Sequence, residues 1–107
     1  MYKNEILNSD CDVRKNAAGN PNIPADVLTE LAKDSYWEVR RSAAENPATP
    51  SEVLKELAKD SDYIVRCYAA GNPNTPLEVL FELTKDSDFG VRRNAVGNPK
   101  FKEVFNR

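Results

Sequence analysis

The sequence predicts an all-α solenoid, a stack of short helical repeats, and two periodic features carry that prediction. The dipeptide Asn-Pro recurs four times at a constant spacing of 26 residues, and the dipeptide Val-Arg keeps the same period. The asparagines are Asn20, Asn46, Asn72 and Asn98, and the arginines are Arg14, Arg40, Arg66 and Arg92. A fixed period of this length is typical of stacked repeats, in which each unit buries its apolar face against its neighbours.

The period divides the chain into one solenoid domain that spans residues 1–107. Three full repeats occupy residues 10–35, 36–61 and 62–87, and a shortened fourth repeat occupies residues 88–107. Residues 1–9 do not keep the register of the repeats. We expect this segment to be an N-terminal cap, because a solenoid has an open end to cover.

The second half of each repeat predicts the longer α-helix. Thr49-Pro50-Ser51-Glu52 has the spacing of a capping box, and residues 75–78 repeat it. Val53, Leu54, Leu57 and Ala58 then form one apolar stripe at helical spacing, with charged residues between them. One face of this helix therefore belongs to the core.

The first half of each repeat predicts a shorter helix of about two turns, in part 3₁₀. Serines at its start have the chemistry of N-caps, and glycines before Asn-Pro suit a left-handed C-cap. The serines are Ser35, Ser61 and Ser87, and the glycines are Gly19, Gly71 and Gly97. The helix should stop there, because a residue before proline is disfavoured in the helical conformation.

Composition excludes several classes of function. The 107 residues carry 15 Lys+Arg and 17 Asp+Glu, a formal net charge of −2, no histidine and two cysteines. Without histidine there is no Ser/His/Asp or Cys/His nucleophile and no ordinary zinc site. No apolar run reaches the roughly 20 residues that cross a bilayer. We expect a cytoplasmic protein that is not an enzyme, binds no cofactor and does not enter a membrane.

The repeated pattern V-R-x-x-A-A-x-N-P-x-T-P-x-E-V-L-x-E-L-x-K-D, read from Val39 to Asp60, resembles the leucine-rich repeat variant family. The resemblance extends with variation over residues 10–107. It implies a right-handed superhelix in which α-helices alternate with short 3₁₀ helices. One form of the family also carries a Cys-rich segment that binds an iron–sulfur cluster, but two distant cysteines cannot supply the four thiolates of a cubane.

The periodic arginines and asparagines have two interpretations. A helical wheel places Arg40 between Ala43 and Ala44 on the packed face, so we expect a structural ladder in which each guanidinium meets buried carbonyls or an aspartate such as Asp34 or Asp60. The alternative is a row of arginines that grips an anionic ligand. The asparagines are expected to fix the loops by bonding local backbone groups.

A second basic row falls on the polar arc of the wheel and should be exposed. It consists of Lys15, Arg41 and Arg93. Basic residues at one-repeat spacing are able to touch a phosphate backbone, and this makes nucleic-acid binding the alternative function. A solvated surface row is the simpler interpretation, because the net charge is negative.

The third repeat departs from the second by replacing polar residues with apolar ones. The departures are Ile64 for Glu38, Cys67 for Arg41, Tyr68 for Ser42, Leu77 for Ser51 and Phe81 for Lys55. Such a surplus is typical of a partner-binding or self-association surface, unless Phe101, Val104 and Phe105 of the fourth repeat fold over it. We therefore predict a scaffold for protein–protein interaction through this ridge, with Arg41 and Arg93 as rim charges.

Overall fold

The computed structural model describes residues 2–105, and these form nine α-helices and no strand. In chain order they are α1 (Tyr2–Leu7), α2 (Cys11–Ala18), α3 (Ala25–Leu31), α4 (Trp37–Glu45), α5 (Ser51–Leu57), α6 (Tyr63–Gly71), α7 (Leu77–Leu83), α8 (Phe89–Gly97) and α9 (Pro99–Phe105). The predicted all-α solenoid is confirmed. Residues 1, 106 and 107, which the prediction placed in the cap and the fourth repeat, lie outside the described residues, as does the side chain of Phe105.

The helices form two layers in a molecule of 47 × 24 × 16 Å. Helices α2, α4, α6 and α8 carry the Val-Arg dipeptides and pack side by side as the Val-Arg layer. Helices α3, α5 and α7 form the Leu layer behind it, with α1 beside α3 and α9 beside α7. Each repeat thus contributes one helix to each layer.

The core lies between the layers and is built largely from recurring register positions, although Val13 of the first repeat is exposed. Fully buried valines and alanines come from the Val-Arg layer, and buried leucines come from the Leu layer. They include Val39, Val65, Val91, Ala43, Ala69, Ala95, Leu28, Leu54 and Leu80. Burial of each Val or Leu side chain contributes roughly 1.5–3 kcal/mol, so the apolar stripes are what holds the stack together.

The predicted assignment of long and short helices is wrong. The Val-Arg helices α4, α6 and α8 have nine residues and the Leu-layer helices α5 and α7 have seven. Tight turns explain the difference: after Leu57 the backbone N–H groups of Lys59 and Asp60 donate three residues back, to Glu56 and Leu57. The 3₁₀-type geometry therefore follows the Leu-layer helix and does not occupy the Val-Arg helix.

The helix starts also differ from the prediction. The N-caps of α6 and α8 are Asp62 and Asp88, one residue after the predicted serines, and the Asp62 carboxylate accepts from the N–H groups of Ile64 and Val65. Aspartate at this position takes over the capping that serine was expected to provide.

The expected capping boxes before α5 and α7 do not form. Pro50 and Pro76 are the N-caps, and the buried hydroxyls of Thr49 and Thr75 donate backwards to carbonyls of the preceding Val-Arg helix. A threonine buried against that helix end satisfies a carbonyl there, and so it is unavailable as a cap.

The glycines are not left-handed C-caps. Gly71 and Gly97 are the last residues of α6 and α8, and no described residue has a positive φ. The helices end at Asn72 and Asn98 with extended backbone, because each of these residues precedes a proline. Glycine at these positions is therefore not required by the backbone.

Candidate functional site

Three of the four periodic arginines hold an aspartate of the same repeat in a two-pronged contact, which we call a clamp. In each clamp the Nε and Nη2 atoms of the arginine donate to the two carboxylate oxygens of the aspartate 20 residues later. The Nε–O distances are 2.7 Å for Arg14–Asp34, 2.7 Å for Arg40–Asp60 and 3.0 Å for Arg66–Asp86. Planar, bidentate pairing of this kind is the strong form of an ion pair.

The third prong of two clamps joins neighbouring repeats, and that of Arg14 donates to the carbonyl of Ser9 in the N-terminal segment. Nη1 of Arg40 donates to the carbonyl of Asp34 at 2.8 Å, and Nη1 of Arg66 donates to the carbonyl of Asp60 at 2.8 Å. One arginine therefore meets both a carbonyl and a carboxylate. The two partners that the sequence analysis offered as alternatives occur together.

Electrostatics in the clamps favour the charged forms. The hydrogen bond with Asp60 raises the pKa of Arg40 above its ordinary value, against an opposing effect of burial. Burial alone would raise the pKa of Asp34, but hydrogen bonds from Arg14 and from the N–H of Tyr36, with the nearby guanidinium charges, lower it overall. The Asp34 carboxylate thus stays ionised at any pH near neutrality.

The periodic asparagines join one repeat to the next. Nδ2 of Asn72 donates to the carbonyls of Ala44 and Asn46 at 2.8 and 2.9 Å, while its Oδ1 accepts from the N–H of Asn74. Asn46 and Asn98 make the corresponding contacts, and all three side chains are almost fully buried. The local bond fixes the loop, and the two long-range bonds form a ladder along the stack.

Arg92, the fourth periodic arginine, is not clamped. Its Nη1 donates to the carbonyl of Asp86 at 2.7 Å, and its guanidinium lies 5.8 Å from the ring centre of Phe89. Among the described residues no carboxylate pairs with its Nε and Nη2 atoms.

The second basic row is not uniformly exposed. Lys15 and Arg93 are exposed, but Arg41 is half-buried and its guanidinium lies 4.9 Å from the ring centre of Tyr68. The Nε atom of Arg41 is buried without a hydrogen-bond partner among the described residues. The expectation of three equivalent solvent-facing cations is therefore wrong at Arg41, because the third repeat supplies an aromatic ring where the second has serine.

The apolar residues of the third repeat divide between two regions. Ile64, Cys67 and Tyr68 lie on α6, while Leu77 and Phe81 lie on α7 in the other layer. The ring of Phe81 meets that of Phe101 edge-on at 5.6 Å, so α9 covers part of this side chain. Phe81 nevertheless remains 43% exposed, whereas Ile64, Cys67, Tyr68 and Leu77 are half-buried.

Part of the patch on α6 borders a groove of about 470 Å³ between α6 and α8, hereafter the α6/α8 groove. It brings together Cys67, Tyr68 and Arg93 of the predicted site, whereas Ile64, Leu77, Phe81 and Arg41 do not line it. Its other lining residues are Glu45, Gly71, Asn72, Pro73, Asn94, Gly97, Asn98 and Pro99.

The groove exists because the third repeat has small residues where the second has large ones. Cys67 takes the register position of Arg41, and Gly71 takes that of Glu45. Nothing lies within 4 Å of a Cβ placed on Gly71 or Gly97. In the preceding interface, between α4 and α6, the Arg41 side chain instead stacks on Tyr68.

The chemistry of the groove suits recognition. It offers the Tyr68 ring, the exposed cation of Arg93, the exposed carboxylate of Glu45 and open backbone at two glycines. Asn94 is fixed, since its Nδ2 donates to the carbonyl of Cys67 at 3.0 Å. The pKa of the Cys67 thiol is raised, mainly by burial and to a smaller degree by the Asp88 carboxylate, whose Oδ2 atom lies 3.9 Å from the sulfur. This thiol is therefore protonated at neutral pH and is a weak nucleophile.

Sequence reasoning missed Glu45, Asn94 and Gly97 as groove residues. Glu45 lies on α4 and Asn94 and Gly97 lie on α8, so only the packing of these two helices against α6 brings them to Cys67 and Tyr68. The available signal was the pair Gly71 and Gly97, which leaves the ends of two adjacent helices without side chains.

Comparisons with known proteins agree with the fold. A sequence model of the family described as leucine rich repeat variant matches residues 37–62. Searches of curated proteins and of solved structures gave no match. No helix within residues 2–105 is long and apolar enough to span a bilayer. The match over residues 37–62 supports the resemblance seen in the sequence, and residues 2–105 form an α-solenoid.

Proposed function

We propose that the protein is a non-catalytic scaffold that binds a segment of another protein in the α6/α8 groove. The helical repeat fold and the family match support a scaffold. Fold alone does not define a site, so the proposal depends on the groove itself. Two unpaired cysteines support a reducing, cytoplasmic setting for it.

The observation that carries the proposal is the local departure from the repeat at Cys67. The periodic arginines and asparagines keep their identity in all four repeats, whereas Cys67 replaces the Lys or Arg of the other three. Together with Gly71 it leaves a space that side chains like those of Arg41 and Glu45 would fill. Concave surfaces with an aromatic ring and a few polar groups are the usual form of a binding site.

The partner that fits is an extended peptide with an aromatic or aliphatic side chain and an acidic one. The apolar side chain would pack on Tyr68 and Cys67, and the carboxylate would pair with Arg93. Gly71 and Gly97 allow the peptide backbone to approach closely, because no Cβ stands in its way. The basic row gives nucleic-acid binding no comparable support, since Arg41 faces Tyr68.

A peptide selection tests this function. Phage-displayed random peptides are selected on the wild-type protein and then measured by fluorescence anisotropy against the double variant Cys67→Arg, Gly71→Glu, which restores the residues of the second repeat. We expect binding to weaken by at least about tenfold, because the new side chains occupy the groove. The matched control is Lys15→Arg, Gly19→Glu, which places the same side chains at the same register of α2 and should bind like wild type.

Two outcomes would contradict the proposal. One is a set of selected peptides that bind the filled variant as tightly as wild type. The other is a protein that selects no peptide but binds a 20-base-pair duplex with a steep dependence on salt, which would favour the basic row instead.

A further inference from the structure

We propose that the α6/α8 groove binds a peptide segment in one direction only, with a basic residue of the segment on Glu45 and an acidic residue on Arg93, on either side of an apolar residue. This inference rests on the proposed function and deepens it. The proposed function gives Glu45 no role and leaves the direction of the peptide open.

Two opposite charges flank α6 in the lining of the groove. Glu45 is the last residue of α4 and Arg93 lies on α8, and these helices are the two neighbours of α6 in the Val-Arg layer. Both side chains are exposed, and neither forms an ion pair with any of the described residues. The two charges therefore lie on opposite sides of the helix that carries Tyr68 and Cys67, and both are available to a partner.

This pair of charges occurs once along the stack. One repeat earlier, Gly19 holds the register of Glu45 and Cys67 holds the register of Arg93, so α4 is flanked by neither charge. The other three repeats all have glycine in the register of Glu45. Helices α4, α6 and α8 have nine residues each whether this position is glutamate or glycine. The fold thus does not require the carboxylate, which favours a role in recognition.

The surroundings of Glu45 favour a cation. The asparagine ladder joins the C-terminal ends of α4, α6 and α8, so these helices run parallel, and none of them has a basic residue in its last turn. The carbonyl of Gly71, the last residue of α6, accepts no hydrogen bond within residues 2–105. Helix C-termini carry a partial negative charge. Together with the carboxylate they would hold the ammonium or guanidinium of a basic side chain.

The surroundings of Arg93 favour the opposite charge. Arg93 is the only cation and Glu45 the only carboxylate among the described residues that line the groove. The neighbouring Asn94 is fixed by its bond to the Cys67 carbonyl at 3.0 Å, so it does not compete for the guanidinium. A guanidinium pairs with a carboxylate through two parallel hydrogen bonds, as the clamps do in this molecule. An acidic side chain of the segment therefore belongs at this side.

The two charges together fix the direction of the segment. In one direction each charge of the segment meets its opposite, while the apolar residue packs on Tyr68 and Cys67. In the other direction two like charges meet at Glu45 and two at Arg93, which opposes binding. The groove would thus discriminate between two segments of the same composition in which the basic and acidic residues are exchanged.

The test is a selection on charge-reversal variants. Phage-displayed random peptides are selected in parallel on wild type, Glu45→Lys, Arg93→Glu and the double variant Glu45→Lys, Arg93→Glu, and the enriched peptides are sequenced. The controls are Lys15→Glu and Glu30→Lys, which reverse exposed charges outside the groove. All these positions are exposed, and circular dichroism checks that each variant is folded.

We expect wild type and both controls to enrich peptides with a basic and an acidic residue in a fixed order around an apolar one. The double variant should enrich the opposite order, Glu45→Lys alone two acidic residues, and Arg93→Glu alone two basic residues. In fluorescence anisotropy at low salt, a wild-type peptide should bind Glu45→Lys about tenfold more weakly than wild type. Replacement of the basic residue of that peptide by glutamate should restore binding to this variant.

Failure of this inference is distinguishable from failure of the proposed function. If the selected peptides lose binding to Cys67→Arg, Gly71→Glu but bind Glu45→Lys as tightly as wild type, the groove is the site and the charge assignment is overturned. A random order of charges, or an order that the double variant does not reverse, also overturns it. Peptides that bind the filled variant as tightly as wild type, or a selection that yields no peptide, would refute the proposed function and this inference with it.

Discussion

Arg40 and Arg92 occupy the same position in their repeats but have different surroundings. Arg40 clamps Asp60 and reaches back to the carbonyl of Asp34, so all three of its donor groups are used. Arg92 keeps the carbonyl contact, here with Asp86, and lies near the Phe89 ring, but it holds no carboxylate among residues 2–105. The same Val-Arg dipeptide therefore makes a bidentate ion pair in the first three repeats and not in the described part of the fourth.

This difference shows that a recurring residue has a role only together with its neighbours. The asparagines repeat the lesson, since Asn72 is buried with two long-range bonds whereas Asn20 is exposed with a local one. Single substitutions in matched interior and end positions measure how much the neighbouring repeat contributes.

The largest effect is expected from Asn72→Ala. Removal of the amide takes the side-chain donor from the buried carbonyl of Ala44 and one of two donors from the carbonyl of Asn46, which still accepts from the N–H of Thr49. The loop also loses the bond from the N–H of Asn74. We expect the free energy of unfolding to fall by about 3 kcal/mol, measured by urea denaturation. Asn20→Ala is the matched control, because Asn20 also precedes a proline. It should lower the free energy of unfolding by about 0.5 kcal/mol or less. Equal losses at the two positions would mean that the ladder does not stabilise the stack.

A smaller effect is expected from Arg40→Met. Methionine keeps the apolar stem but leaves Asp60, whose side chain is 9% exposed, without its cation. Because the pair is neither fully buried nor fully exposed, we expect a loss of about 2 kcal/mol in urea denaturation. Arg92→Met should cost about 0.5 kcal/mol, since no carboxylate among the described residues depends on it. The structural role of the clamp would be refuted if Arg40→Met were as stable as wild type.

The smallest effect is the acid dependence of the first clamp. The pKa of Asp34 is lower in the folded protein than in the unfolded chain, so the unfolded chain binds protons first as pH falls below about 4. The stability contributed by Asp34 is thus present at neutral pH and lost in acid. We expect Asp34→Asn to be less stable than wild type at pH 7 by about 1 kcal/mol and to approach it near pH 2. Thermal unfolding at both pH values measures the difference in stability between the variant and wild type. A difference that does not become smaller at pH 2 would contradict the lowered pKa of Asp34.

Much of the fold was predictable because periodicity reports it directly. The 26-residue spacing gave the repeats, and the apolar stripes with Leu54 and Val39 gave the two helices of each repeat and the core between them. The wheel also placed Arg40 beside the packed alanines, where its contacts with Asp60 and the preceding repeat are found.

The remaining features depend on which side chains of neighbouring helices meet, and the residue pattern within one helix does not indicate this. Thr49 looks like a cap in isolation, but its hydroxyl is used by the carbonyl of Ala43. Arg41 looks exposed on a single helix, but the next helix brings Tyr68 beneath it. The α6/α8 groove likewise arises from Cys67 and Arg93, which meet only because α6 packs on α8.

The asparagine ladder has a consequence for how the molecule unfolds. The carbonyl of Asn46 accepts from Asn72, and the carbonyl of Asn72 accepts from Asn98, so each rung holds the next. Helices of seven to nine residues are too short to persist alone, and the coupling between neighbours then exceeds the intrinsic stability of any repeat. Under these conditions a solenoid melts as one cooperative unit, and fraying is confined to the helices beyond the last rung.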